Sequence, residues 1–171
     1  MTGHRTVITA IAAAMVSAAL LASCNSTGCT ENRNAIPQAE FFSAGNEEAI
    51  SLDSLEIVGV NAPRDSVLSA PGTQVSKIYL PMRPTADVTA WSFAYRWKAL
   101  DDPRLNDTIT FAYTTIPYFT SEECGATYRY HIDRMDYTSR LIDSVAVVDS
   151  MITNVDKVYI RIFFKVSDAD E

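Results

Sequence analysis

The chain is poor in cysteine, glycine, proline and histidine, with three, six, seven and two among 171 residues. So little glycine excludes a collagen, and so little cysteine excludes a small disulfide-dense scaffold. Basic charge is also short. Lys and Arg number 14 against 21 Asp and Glu, a net charge of −7. That balance offers no sequence-independent attraction to nucleic acid or to anionic lipid. The one long hydrophobic run is amino-terminal, which excludes a polytopic membrane protein. No Cys-x-x-Cys, Gly-x-Ser-x-Gly or EF-hand ladder occurs, so the signatures of a redox dithiol, a nucleophile elbow and a calcium loop are missing. What remains is 47% hydrophobic and 10% aromatic, a composition that builds a core and argues against disorder.

The amino terminus carries the strongest signal. His4 and Arg5 make a polar start, an apolar run follows from Thr6 to Leu21, and the run ends in Leu21-Ala22-Ser23-Cys24. This is the anatomy of a secretory signal peptide. The competing account is a plain transmembrane anchor, because Thr6 to Ser23 is uncharged and near the lower limit for spanning. No basic stop-transfer cluster follows Ser23, which favours export. The Leu-Ala-Ser-Cys ending resembles the bacterial lipobox. That resemblance implies cleavage before Cys24, with Cys24 carrying lipid and a new acylated amino terminus. Asn25, not Asp, comes next, and the resemblance then implies the outer membrane. Residues 25–30 lack an acidic run, which favours the periplasmic face over the cell surface.

Once Cys24 carries lipid, Cys29 and Cys124 remain. An even pair in an oxidising compartment reads as a disulfide. It closes a loop of about 95 residues and contributes around 4–5 kcal/mol in the loop-entropy model. Its expected role is to staple a tether to the folded domain. One mature histidine and two distant cysteines give no structural zinc spacing, and no cofactor is implied.

The expected organisation is a signal peptide over 1–23, a polar tether over 24–50 and a β domain over 51–171. Within the tether Phe41-Phe42 is the one apolar spot. Beyond it the pattern has period two. Strands are expected at Leu55–Val60, weakly at Arg64–Leu68, then at Val75–Leu80, Val88–Trp97, Asp107–Thr114, Thr127–Tyr137, Leu141–Val148 and Lys157–Val166. Pro71-Gly72 marks a turn, and Pro117 is expected to break the strand before it. Trp91, Phe93, Tyr95 and Trp97 fall on one face, as do Ile109, Phe111 and Tyr113. No stretch after residue 23 keeps a helical apolar period over three turns. Seven to nine strands without intervening helices mean antiparallel sheets. An immunoglobulin-like β-sandwich is the first choice, and a closed calycin-like β-barrel the second.

Three local strings then stand out: Ile116-Pro117-Tyr118-Phe119 with Ser121 to Ala126, Leu141 to Val145 with Ile152 to Val155, and Cys29-Thr30-Glu31-Asn32. Together they resemble an uncharacterised family of small lipoproteins from Bacteroides-type bacteria, a domain of unknown function. The match runs from about Cys29 to Phe164. The resemblance implies an outer-membrane lipoprotein, and it implies no activity and no binding residues.

Candidate chemistry is thin. His131, the only mature histidine, shares a strand face with Arg129 and Asp133. A hydrolase would need to pair it with a serine nucleophile. A solvated polar strand face is the preferred account. Glu122-Glu123 and Asp101-Asp102 are adjacent acids, and neighbours in a chain commonly point apart. The Trp91 stripe reads as core, although a sugar-stacking platform has the same pattern. Tyr118 and Phe119, placed in an expected loop, and Trp97 are the candidate ligand or partner contacts. The expectation is a non-catalytic binding or structural accessory module of the cell envelope with a protein partner. The alternatives are a carbohydrate-binding surface lipoprotein and a hydrolase built on His131.

Overall fold

Alternating apolar and polar residues, with β-branched and aromatic side chains at the apolar positions, make most of the chain extended. The computed structural model describes residues 34–62, 66–122 and 125–166. They form β1 (Gln38–Ser43), β2 (Leu55–Gly59), β3 (Val67–Ser69), β4 (Lys77–Tyr79), β5 (Val88–Tyr95), β6 (Asp107–Ser121), β7 (Gly125–Tyr137), β8 (Ile142–Val147), β9 (Met151–Ile152) and β10 (Val158–Phe164). A single 3-10 turn, Pro103–Leu105, precedes β6. Among the described residues there is no α-helix, and no helix long and apolar enough to cross a membrane. Cys24, Cys29, Cys124 and the expected signal peptide lie outside the described residues.

The strands make two sheets. One has the order β4-β1-β10-β8, and the other β3-β2-β5-β6-β7-β9. The two pack together as a β-sandwich, with one sheet curled into a half-barrel. The closed barrel is therefore not what forms, since two separate sheets keep their own edges. Nor is every neighbour antiparallel: β1 and β10 run parallel, pairing Phe41 with Ile162 and Ser43 with Phe164.

The core lies between the sheets. Phe41, Phe93, Phe111, Ile57, Ile109, Ile160 and Ile162 are fully buried within it. Each contributes about 1.5–3 kcal/mol by leaving water. Phe41 meets Phe164 edge-on at 5.3 Å.

Three features depart from the expected layout. Residues 38–43, expected within the tether, form β1 between β4 and β10. Its inward residues Ala39, Phe41 and Ser43 are mostly small, so the alternation carries little hydropathy. The β6 strand also continues through Pro117, which pairs with Tyr128. It can do so because β5 accompanies β6 only as far as Ala112, so the residue without an N–H has no described strand on that side. Finally, β5 stops at Tyr95. The Arg96 N–H donates to the Ser54 carbonyl, and a turn closes from Trp97 to Leu100, which lifts Trp97 off the sheet.

Among the described residues one carboxylate is buried. Asp107, at the start of β6, is fully buried. Its carboxylate accepts from the backbone N–H groups of Arg140 (2.8 Å), Leu141 (2.9 Å) and Ile142 (2.9 Å). It also accepts from the hydroxyls of Thr138 (2.8 Å) and Tyr95 (3.0 Å). These bonds clamp the segment that crosses from β7 in one sheet to β8 in the other. Burial, then the nearby Asp107 charge and hydrogen bond, push the Tyr95 phenol far above its ordinary range.

Candidate functional site

The β6–β7 hairpin reaches further than its neighbours. Its ladder runs from Ile109–Tyr137 to Ser121–Gly125. The β5 strand leaves it at Ala112, and β9 pairs only with Tyr130 and His131. Beyond that point no described strand flanks the hairpin. At 3.3 Å per residue this two-stranded ribbon extends about 20 Å. Gly125 closes its end at φ 74°, a backbone angle that glycine adopts without steric cost.

Large side chains stand open on the ribbon. Phe119 is 63% exposed, and Tyr118 and Tyr128 are also exposed. The Arg129 guanidinium lies over the Tyr118 ring, 3.5 Å from its centroid. A cation–π contact at such a site is worth about 0.5–1 kcal/mol, and it holds both side chains ready. Strand edges without a described neighbour, and exposed Tyr, Phe and Arg, are the features by which sheets recruit other chains.

The third candidate, Trp97, is 55% exposed but stands elsewhere. It follows the end of β5 that pairs near Asp107, whereas Tyr118 lies at the other end of β6. The separation along β6 is on the order of 35 Å. The three rings therefore line no common groove. Trp91, Phe93 and Tyr95 are buried in the core, as expected for the rest of that stripe.

His131 does have polar partners. Ser150 Oγ lies 3.3 Å from Nε2, Asp133 Oδ1 lies 2.8 Å from Nδ1, and the Thr114 hydroxyl donates to Asp133 Oδ2 at 2.8 Å. The order serine, histidine, aspartate is that of a nucleophilic triad. The setting differs from one, because His131 and Asp133 keep 41% and 47% of their side-chain surface in water. A carboxylate so hydrated stabilises an imidazolium only weakly. Ser150 also accepts from the Ile132 N–H through its carbonyl at 2.8 Å, so its backbone is part of the sheet edge. The cluster is a polar ladder that ties β6, β7 and the start of β9 together.

Hydrogen bonds from His131 and then Thr114 hold the Asp133 carboxyl below its ordinary 3.8. A depressed carboxylate contributes stability above the unfolded value and loses it as pH falls through the folded one. His131→Ala is therefore expected to raise the Asp133 midpoint toward 3.8 and to flatten the acid side of the stability profile, leaving cooperative unfolding intact. Carbon-detected NMR titration of the carboxyl reads this. An unmoved midpoint would show that the imidazole does not act on Asp133.

Among the described residues, no three His, Cys, Asp or Glu side chains gather to hold a metal ion. The Asp107 clamp was not foreseeable from the sequence, because four of its five donors lie more than thirty positions away.

A family model described as a family of unknown function (DUF6452) matches residues 54–164. No curated protein and no solved structure matches.

Proposed function

We propose the following for this chain, which belongs to DUF6452, a family of unknown function: it is a lipid-anchored, non-catalytic binding or structural accessory module of the outer membrane that engages a protein partner. The lipobox-like ending at Cys24 supports the anchor, and the absence of an acidic run after it supports the periplasmic face. The ribbon of β6 and β7, which no described strand flanks and which bears Tyr118, Phe119, Tyr128 and Arg129, is the observation that carries the partner. Added strand pairing would supply affinity, and the aromatic side chains would supply specificity.

Cys29 and Cys124 are proposed to pair. Cys124 stands in sequence between Ser121, the last residue of β6, and Gly125, the first of β7, so the bond would link the tether to that end of the hairpin. A sugar platform would need rings gathered on one surface, and the separation of Trp97 from Tyr118 and Phe119 favours the protein partner instead.

The test is site-specific photocrosslinking in the native envelope from position 119, with position 67 as an exposed control on β3. One discrete adduct is expected from 119 and none from 67. Tyr118→Ala with Arg129→Ala should weaken its capture roughly tenfold or more. Equal labelling from both positions would mean that the ribbon has no partner.

A further inference from the structure

An edge strand offers backbone groups to any chain that can match them. The edges here are β4 and β8 in one sheet and β3 and β9 in the other. Three of these are short, with three residues in β3, three in β4 and two in β9. The β8 strand runs six residues, Ile142 to Val147, with no Pro or Lys to blunt it.

The direction of its backbone groups follows from its ladder. The Val148 N–H donates to the Tyr159 carbonyl at 2.7 Å, and the register with β10 holds without a shift from Val147 to Ser144. Backbone groups along an antiparallel strand alternate sides. Ala146 and Ser144 therefore bond to β10, whereas the N–H and C=O of Val145 and Val147 point away from it. No described strand stands on that side. The side chains of Val145 and Val147 are only partly covered by the core they pack against.

We propose that β8 pairs antiparallel with β8 of a second copy of this chain, with Val145 on the two-fold axis, joining two four-stranded sheets into one. Such a contact must be self-complementary. Setting Val145 against itself puts Val147 opposite Asp143 and Ala146 opposite Ser144, so no like charges meet. Moving the axis to Ala146 would set Asp143 against Asp149, which is destabilising.

The favoured register also supplies Arg161. Its guanidinium lies over the Phe42 ring and pairs with no carboxylate among the described residues. Arg161 is exposed beside Ala146, the small residue it pairs with across the ladder. Across Ala146, the exposed Asp143 of the second copy stands about 10 Å away between Cα atoms, a span the two side chains cover. The two-fold axis makes this contact twice.

Sedimentation of the purified full chain in detergent is expected to give a dimer. Val145→Pro removes an outward N–H and leaves the bonds to β10, so it should give a monomer with an unchanged circular-dichroism spectrum. Arg161→Asp and Asp143→Arg should each weaken the dimer roughly tenfold, and the double variant should recover it. The charge exchange decides the matter even if Val145→Pro does not fold. A chain that stays monomeric at micromolar concentration, a dimer that survives Val145→Pro, or charge variants that do not rescue one another would each overturn the proposal.

Discussion

Replacing Asp107 with alanine is expected to destabilise the domain by about 3–5 kcal/mol, the range for breaking a buried charged network. Three backbone N–H groups and two hydroxyls converge on this carboxylate. Alanine leaves all five donors without their acceptor, in a place that has no exposed surface. Each buried donor left unpaired costs about 1–3 kcal/mol, and partial access of water limits the sum. Asparagine should do little better, because its amide nitrogen cannot accept from a backbone N–H. At about 2–4 °C per kcal/mol, the melting temperature should fall by roughly 10 °C. The damage should centre on the crossing between β7 and β8. Hydrogen exchange at Leu141 and Ile142 should accelerate more than exchange at Ile57 in β2. Thermal unfolding with amide exchange checks both parts. A loss below about 1 kcal/mol, the size of an ordinary surface change, would show that the clamp is not what holds the two sheets in place.

Cys24→Ala is expected to have the other large effect, on location rather than stability. Acyl chains contribute about 0.8 kcal/mol per buried methylene, so several chains anchor far more firmly than one. Without the Cys24 thiol no chain can be attached there. Metabolic labelling with a clickable palmitate analogue should drop to background, and the protein should leave the outer-membrane fraction. The fold should be unchanged, because the described strands begin at Gln38, well beyond the anchor. Undiminished labelling in the outer membrane would place the lipid elsewhere.

The sequence showed those parts of the fold where large apolar residues alternate without interruption. Ile109, Phe111 and Tyr113 face inward as their spacing requires, and so do Trp91, Phe93 and Tyr95. The stripe of β10 was legible at Ile160, Ile162 and Phe164. Tyr159 on the opposite face is equally buried, because its hydroxyl donates to the Val155 carbonyl at 3.1 Å and lies 2.9 Å from Thr153 Oγ1, in the segment before the strand. Local hydropathy cannot reveal such a cover. The β1 strand was hidden for a related reason. Its inward positions are small, and its place is set by pairing with a strand more than a hundred residues away.

The candidate contacts divide in the same manner. Phe119 and Tyr118 are exposed, yet on a strand and not in the expected loop, because an edge position tolerates Pro117. The stripe through Trp97 predicted a shared face, but the turn that follows Arg96 took that ring away. The serine beside His131 could not be read from spacing, since Ser150 reaches it only through the return of the chain along β9.

The protein is proposed to be an exported, lipid-anchored module with its tether stapled to the domain. Intact mass spectrometry of the protein extracted from its native membrane, alkylated without reduction, tests it most directly. The predicted species begins at Cys24, carries three acyl chains, and takes up thiol label only after reduction. A chain that begins at Met1 without lipid, or one labelled freely at Cys29 and Cys124 before reduction, would contradict it.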